Sequence, residues 1–249
     1  MLLFKTSMHA SILLAVLAIM VALMGFQDSP VVRPDSVHYR GSIVVRGKEL
    51  YNYKAQTLAQ HGHTVIITDC FDLQGKHIAR EQVKFHTRSF RLVESVAEDF
   101  RNGRYEAITL GGEGFAVKTR ADNAEQWKDW SCEFRASIIP NTMILPFIQN
   151  RLPEIVRGDD VWVELLIAAR QQTVGFYARL SGETTINGVA CYSVNVVPSS
   201  WILRQFVAPL QFVVEKAAPH RLMQYKGKLA TITDTEGKEI DALVVAQHR

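Results

Sequence analysis

Cysteine is scarce in this chain. Only Cys70, Cys132 and Cys191 occur in 249 residues, far apart and with no CxxC or zinc-like cluster, which excludes a disulfide-built scaffold and a zinc module. In an oxidising compartment one pair can join and leave an odd thiol, and the sequence does not choose among the pairings. An excess of one charge is also missing. The 28 Lys and Arg against 25 Asp and Glu give a net charge of +3, with no run of five like charges, so no nucleic acid is expected as a partner. Nucleophile elbows, H-E-x-x-H, Walker loops and Rossmann fingerprints are all absent, which leaves the common hydrolases, metalloproteases and nucleotide enzymes without local support.

Charge is absent altogether between Thr6 and Gln27, where Ile12 to Met24 is almost purely apolar. Lys5 before the run and Asp28 after it orient the bulk of the chain out of the cytoplasm. Ala10 to Phe26 is at the short limit for spanning about 30 Å of hydrocarbon, yet long for a signal core. Cleavage after Gly25 would put Leu23 three positions upstream of the cut, a poor fit to the A-x-A-like pattern. Residues 1–27 therefore read as a signal-anchor helix in the inner membrane, with a signal peptide as the alternative that would leave a soluble periplasmic domain. Residues 28–36, with Pro30 and Pro34, read as an extended linker.

What remains, 37–249, reads as a single exported β-rich domain. Segments rich in Val, Ile, Thr, Tyr and Phe recur about every ten residues between Gly-containing turns. Strands are expected near 37–46, 49–58, 63–71, 77–86, 90–100, 104–110 and 114–120, and again near 160–168, 172–183, 188–197, 210–216, 221–232 and 239–246. Val174, Phe176, Ala178 and Leu180 alternate with Thr173, Gly175, Tyr177 and Arg179, as a half-buried strand requires. Asp72-Leu73-Gln74-Gly75-Lys76 and Asp234-Thr235-Glu236-Gly237-Lys238 share a D-x-x-G-K hairpin device.

Two short covering helices are expected. Ile144, Ile148, Leu152 and Ile155 fall on one stripe, with Pro146 and Pro153 limiting the regular part to about two turns. Ser199-Ser200 can cap a second, where Ile202, Leu203, Phe206 and Val207 form an apolar side before Pro209. The fold class is thus mainly β: a strongly curved antiparallel sheet, a half-barrel or open barrel, with two short covering helices, preceded by an N-terminal apolar helix.

Elements that suggest chemistry have simpler roles. His61-Gly62-His63 places alternate imidazoles at a hairpin tip with no cysteine near, so no metal site is assigned. Asp159 and Asp160 would point to opposite faces of a strand and read as turn residues. Gly111-Gly112-Glu113-Gly114 precedes a strand instead of a helix and reads as a hairpin turn, not a phosphate loop. The polar stretch 121–133, with Trp127 and Trp130, reads as an exposed mobile loop.

The order of elements, together with Phe100-Arg101-Asn102-Gly103-Arg104-Tyr105-Glu106 and the block from Gly158 to Lys228, resembles the half-barrel of the bacterial outer-membrane lipoprotein carrier, and uncharacterised exported bacterial β-rich proteins of similar build. The resemblance implies an apolar concave face, partly plugged by helices, that accepts acyl chains. A retained anchor would depart from a freely diffusing carrier. The resulting expectation is a membrane-tethered or secreted periplasmic domain, non-catalytic and without cofactors, that binds an apolar ligand such as a lipid or lipoprotein, or a cell-envelope partner. Trp162, Phe176, Trp201, Phe206 and Phe212 are the expected groove lining. Two alternatives stand beside it: a hydrolase using His61, His63 or His86 with a distant carboxylate, and a structural module pairing through an open sheet edge. The shape of the concave face separates the three.

Overall fold

A computed structural model describes residues 37–234 and 238–247. The expected apolar helix and linker lie outside these residues, and no helix among the described residues is long and apolar enough to cross a membrane. Each segment with the β-branched and aromatic signal forms a strand. They are β1 (Val37–Val45), β2 (Lys48–Gln60), β3 (His63–Asp72), β4 (His77–His86), β5 (Leu92–Asp99), β6 (Arg104–Leu110) and β7 (Gly114–Arg120). Then come β8 (Lys128–Glu133), β9 (Ile138–Pro140), helix α1 (Ile144–Val156), β10 (Val161–Ile167), β11 (Gln172–Ile186), β12 (Val189–Pro198), β13 (Leu210–Glu215), β14 (Leu222–Thr233) and β15 (Glu239–Gln247).

All belong to one 15-stranded sheet in the order β8-β7-β6-β5-β4-β3-β2-β1-β15-β14-β13-β12-β11-β10-β9. Two antiparallel meanders meet where β1 pairs with β15, and β9 lies parallel to β10. The sheet is mixed and does not close: β8 and β9 are its two edges. Register shifts at Ile43/Val44, Lys84/Phe85, Leu180/Gly182 and Val213/Val214 mark bulges, which bend strands and raise their twist. The first D-x-x-G-K turn forms as expected, and residues 235–237 of the second lie outside the described residues. Asp72 Oδ1 accepts from the Gln74 and Lys76 N–H groups at 3.0 and 2.8 Å, and Asp234 Oδ1 from Lys238 N–H at 2.9 Å.

Curvature brings the meanders together around α1. Ile148, Leu152 and Ile155 of the helix are buried among Val83, Phe85, Ile108 and Phe115 of one meander and Val163, Leu165, Phe176 and Val194 of the other. At roughly 1.5–3 kcal/mol per fully buried large aliphatic side chain, this helix face is a main source of stability. It runs for 13 residues with Pro153 inside, longer than the two turns expected. Pro146 falls in the first turn, where no backbone donor is needed, so only Pro153 forgoes an internal bond.

The second expected helix is not formed. Its place holds one 3-10 turn, Leu203–Gln205, with Ser200 Oγ a long 3.5 Å from the Leu203 N–H. Nor is 121–133 all loop. Lys128–Glu133 pairs with β7 as an edge strand, Trp130 packs on the main core, and Trp127 lies against Tyr105 with Lys118 and Arg120 cations 4.6 and 4.5 Å from its ring. The cysteines, left open by the sequence, are all free thiols.

Candidate functional site

Helix α1 packs on the main core within the curve of the sheet, and further along the strands buried carboxylates lie beside a second apolar cluster that includes Ala79, Ile232 and Val244. Alternation along β4 puts Glu81 on the same face as Ala79, Val83 and Phe85, and register carries that level through Ala97 to Glu106 on β6. Glu81 accepts a hydrogen bond from the Thr231 hydroxyl of β14, across the curve of the sheet. Burial raises the affinity of Glu81 for its proton, and the Thr231 bond opposes this. Burial likewise pushes the Glu106 carboxyl up from its ordinary 4.5 to about 7, with Arg104 opposing and the Glu81 and Glu239 charges adding.

One level further along, Asp99, fully buried, is held by the Arg101 guanidinium at 2.9 and 2.5 Å. Arg101 also donates to the Thr233 carbonyl at 2.8 Å and to Tyr51 Oη at 3.1 Å. This clasp ties the β5–β6 turn to the end of β14. Asp99 and Arg101 are thus matched to each other and to β14.

Two clefts open elsewhere. One, of about 470 Å³, runs beside edge strand β8, between Trp130–Arg135 and Gln171–Thr173. Asp129 and Glu133 stand exposed on the outward side of that edge, the charge placement that discourages strand pairing. The other, of about 390 Å³, is an open hollow among Arg40, Lys54, Gln56 and Asp69. The aromatic groove expected from the sequence is in neither.

The histidines named for a hydrolase gather at one hairpin tip. His63 and His86 face each other at 4.4 Å between ring centroids near the hairpin tip, and His61 is exposed in the turn. A different histidine, His77, comes within 2.9 Å of the Asp69 carboxylate, but Arg80 already occupies that group at 2.7 Å and His77 is packed between Phe71 and Phe100. Among the described residues no group of three or more His, Cys, Asp or Glu side chains is arranged for a metal ion. Asp159 and Asp160 are engaged by Arg157 and Arg179 at the surface.

The five expected lining residues divide between two places. Phe176 and Phe212 are 7% and 6% exposed and belong to the main core. Trp162, Trp201 and Phe206 point outward, 42%, 68% and 79% exposed. They do not line one groove, but the outward residues share a neighbourhood. Trp162 on β10 packs edge-on to Tyr177 at 5.2 Å and lies over Gly175, the Ser199 hydroxyl being the other close neighbour there. A Cβ at Gly175 would stand 2.1 Å from the Trp162 ring, so glycine is what lets the indole come this close to β11. Ser199 starts the β12–β13 connection and bonds through its N–H to the Gly175 carbonyl at 2.9 Å.

That connection presents Trp201, Ile202, Leu203 and Phe206 to the outside, all four exposed. Its shape is set internally. Arg204 Nε donates to the Pro198 carbonyl at 2.6 Å and a terminal nitrogen to the Ser199 carbonyl at 3.2 Å, while the Arg204, Gln205, Phe206 and Val207 N–H groups bond within the turn.

No family model matches the chain, and no curated protein matches it. Among solved structures it is loosely similar to a β-barrel-like protein of domain of unknown function DUF1849 from Brucella abortus, at 9% identity and a TM-score of 0.44, over 87% of this chain and 100% of that one. A second similarity is to a DUF1329 family protein from Desulfovibrio piger, at 11% identity and a TM-score of 0.22, over 88% of this chain and 86% of that one.

Proposed function

We propose that this chain is a non-catalytic binding domain of the cell envelope, held at the inner membrane by its N-terminal apolar segment with the β-domain in the periplasm. It takes an apolar partner on its outer surface, at Trp162 and the Ser199–Pro209 connection, and not inside the curve of the sheet. The observation that carries this reading is the exposure of Trp201 and Phe206 at 68% and 79% in a turn that holds its shape by its own backbone bonds. Full burial of such side chains is worth roughly 1.5–3 kcal/mol each. Folding leaves that free energy unused, and a partner with an acyl chain or apolar face would recover it. The filled interior supports the same choice, because an acyl chain there would have to displace α1.

Titration of the chain with a fluorescent fatty acid tests the proposal. Saturable binding that is lost in the doubly substituted Trp201→Ser, Phe206→Ser variant is the expected result. Binding that persists unchanged in that variant would rule the site out.

A further inference from the structure

We infer that the Ser199–Pro209 connection seats Trp201, Ile202, Leu203 and Phe206 in the interfacial layer of a lipid bilayer. The inference rests on the reading above and names its partner. Other exposed rings in the domain are partly covered: Trp127 by Lys118 and Arg120, Phe134 by Arg91 at 4.9 Å, Phe100 by His77. The connection instead gathers four apolar side chains within six residues. Together they present on the order of 500 Å², against roughly 800 Å² contributed by each partner in a stable protein interface. A bilayer surface needs no such area or shape match, and Trp is a preferred residue at its headgroup level.

Three further features fit that environment. No Asp or Glu lies between Ser199 and Pro209, so the connection itself brings no carboxylate toward the lipid. Several of the turn's N–H groups, and the Pro198 and Ser199 carbonyls through Arg204, are bonded within the connection, which removes much of the cost of taking backbone out of water. The linker read at 28–36 spans at most about 30 Å when extended, so an anchored domain stays within reach of the surface and even weak contacts are occupied by proximity.

The test uses the full chain reconstituted in phosphatidylcholine–phosphatidylglycerol vesicles that contain lipids brominated near the top of the acyl chain. Bromine quenches indole fluorescence on contact. The expected result is quenching that falls sharply in Trp201→Phe, weakens in Phe206→Ser and survives in Trp127→Phe. Quenching equal in Trp201→Phe and in the unaltered chain would overturn the assignment. So would a concentration-dependent dimer that is lost in Phe206→Ser, since it would give the turn to a second copy. Saturable fatty-acid binding at the turn without bromine quenching would refute the bilayer and leave the binding reading standing; the absence of both would refute the two together.

Discussion

Helix α1 and the β12–β13 connection each carry four large apolar side chains and meet opposite fates. Ile144, Ile148, Leu152 and Ile155 are buried, whereas Trp201, Ile202, Leu203 and Phe206 are exposed. The difference lies in what each segment connects. α1 follows β9 at one sheet edge and leads into β10, and the curved sheet wraps it with both meanders. The second segment joins two neighbouring antiparallel strands, so it projects from the end of the sheet, where no strand stands above it. Apolar periodicity therefore reports that a face wants cover, and topology decides whether the chain itself supplies it.

The largest expected effect breaks the curve that encloses α1. Asp99→Ala leaves the Arg101 guanidinium without its buried partner and should destabilise the domain by about 3–5 kcal/mol in urea unfolding, without changing fatty-acid affinity in the folded fraction. Leu152→Ala empties part of the helix seat and should cost about 2–5 kcal/mol, read the same way. An intermediate effect is set by pH. The folded domain holds the Glu106 proton to about pH 7 against an ordinary 4.5, so the protonated carboxyl's contribution is complete below pH 4.5 and is lost as pH rises through 7. Stability should fall across that window at up to about 1.4 kcal/mol per pH unit from this group, and Glu106→Gln should flatten the slope. Glu81 shifts in the same direction and would keep part of it. The smallest effect is at the connection: Trp201→Ser and Phe206→Ser should each change stability by no more than about 0.5 kcal/mol while weakening binding, which the double variant loses. A loss as large as that of Leu152→Ala would make the two regions alike and the contrast false.

Most of the strand order was legible because alternation and turn chemistry agree along the meanders. β8 was missed for a physical reason. Only Trp130 and Cys132 face the core, and the charges that suit an edge strand, Lys128, Asp129 and Glu133, mask their alternation. β9 is three residues ending in Pro140, too short to show a period. At the site, alternation already placed Phe176 inward, but residue type alone pointed to Trp162, Trp201 and Phe206, and nothing in the sequence reported that they face outward. The inner carboxylates were readable and overlooked: Glu81 lies in phase with Ala79, Val83 and Phe85, and Glu106 with Ile108, so each places a charge on an apolar face. The clasp from Asp99 and Arg101 to Thr233 joins residues more than 130 positions apart and no local pattern announces it.

The central claim is that the apolar partner is met on the outer surface and not within the curve of the sheet. A fatty acid carrying a photoactivatable diazirine, cross-linked to the full chain and mapped by peptide mass spectrometry, tests it most directly. Adducts on the peptide that spans Ser199 to Pro209 and at Trp162 are the predicted result. Adducts on α1 or on the inward residues Val83, Ile108 and Phe212 would contradict it and return the ligand to the concave face.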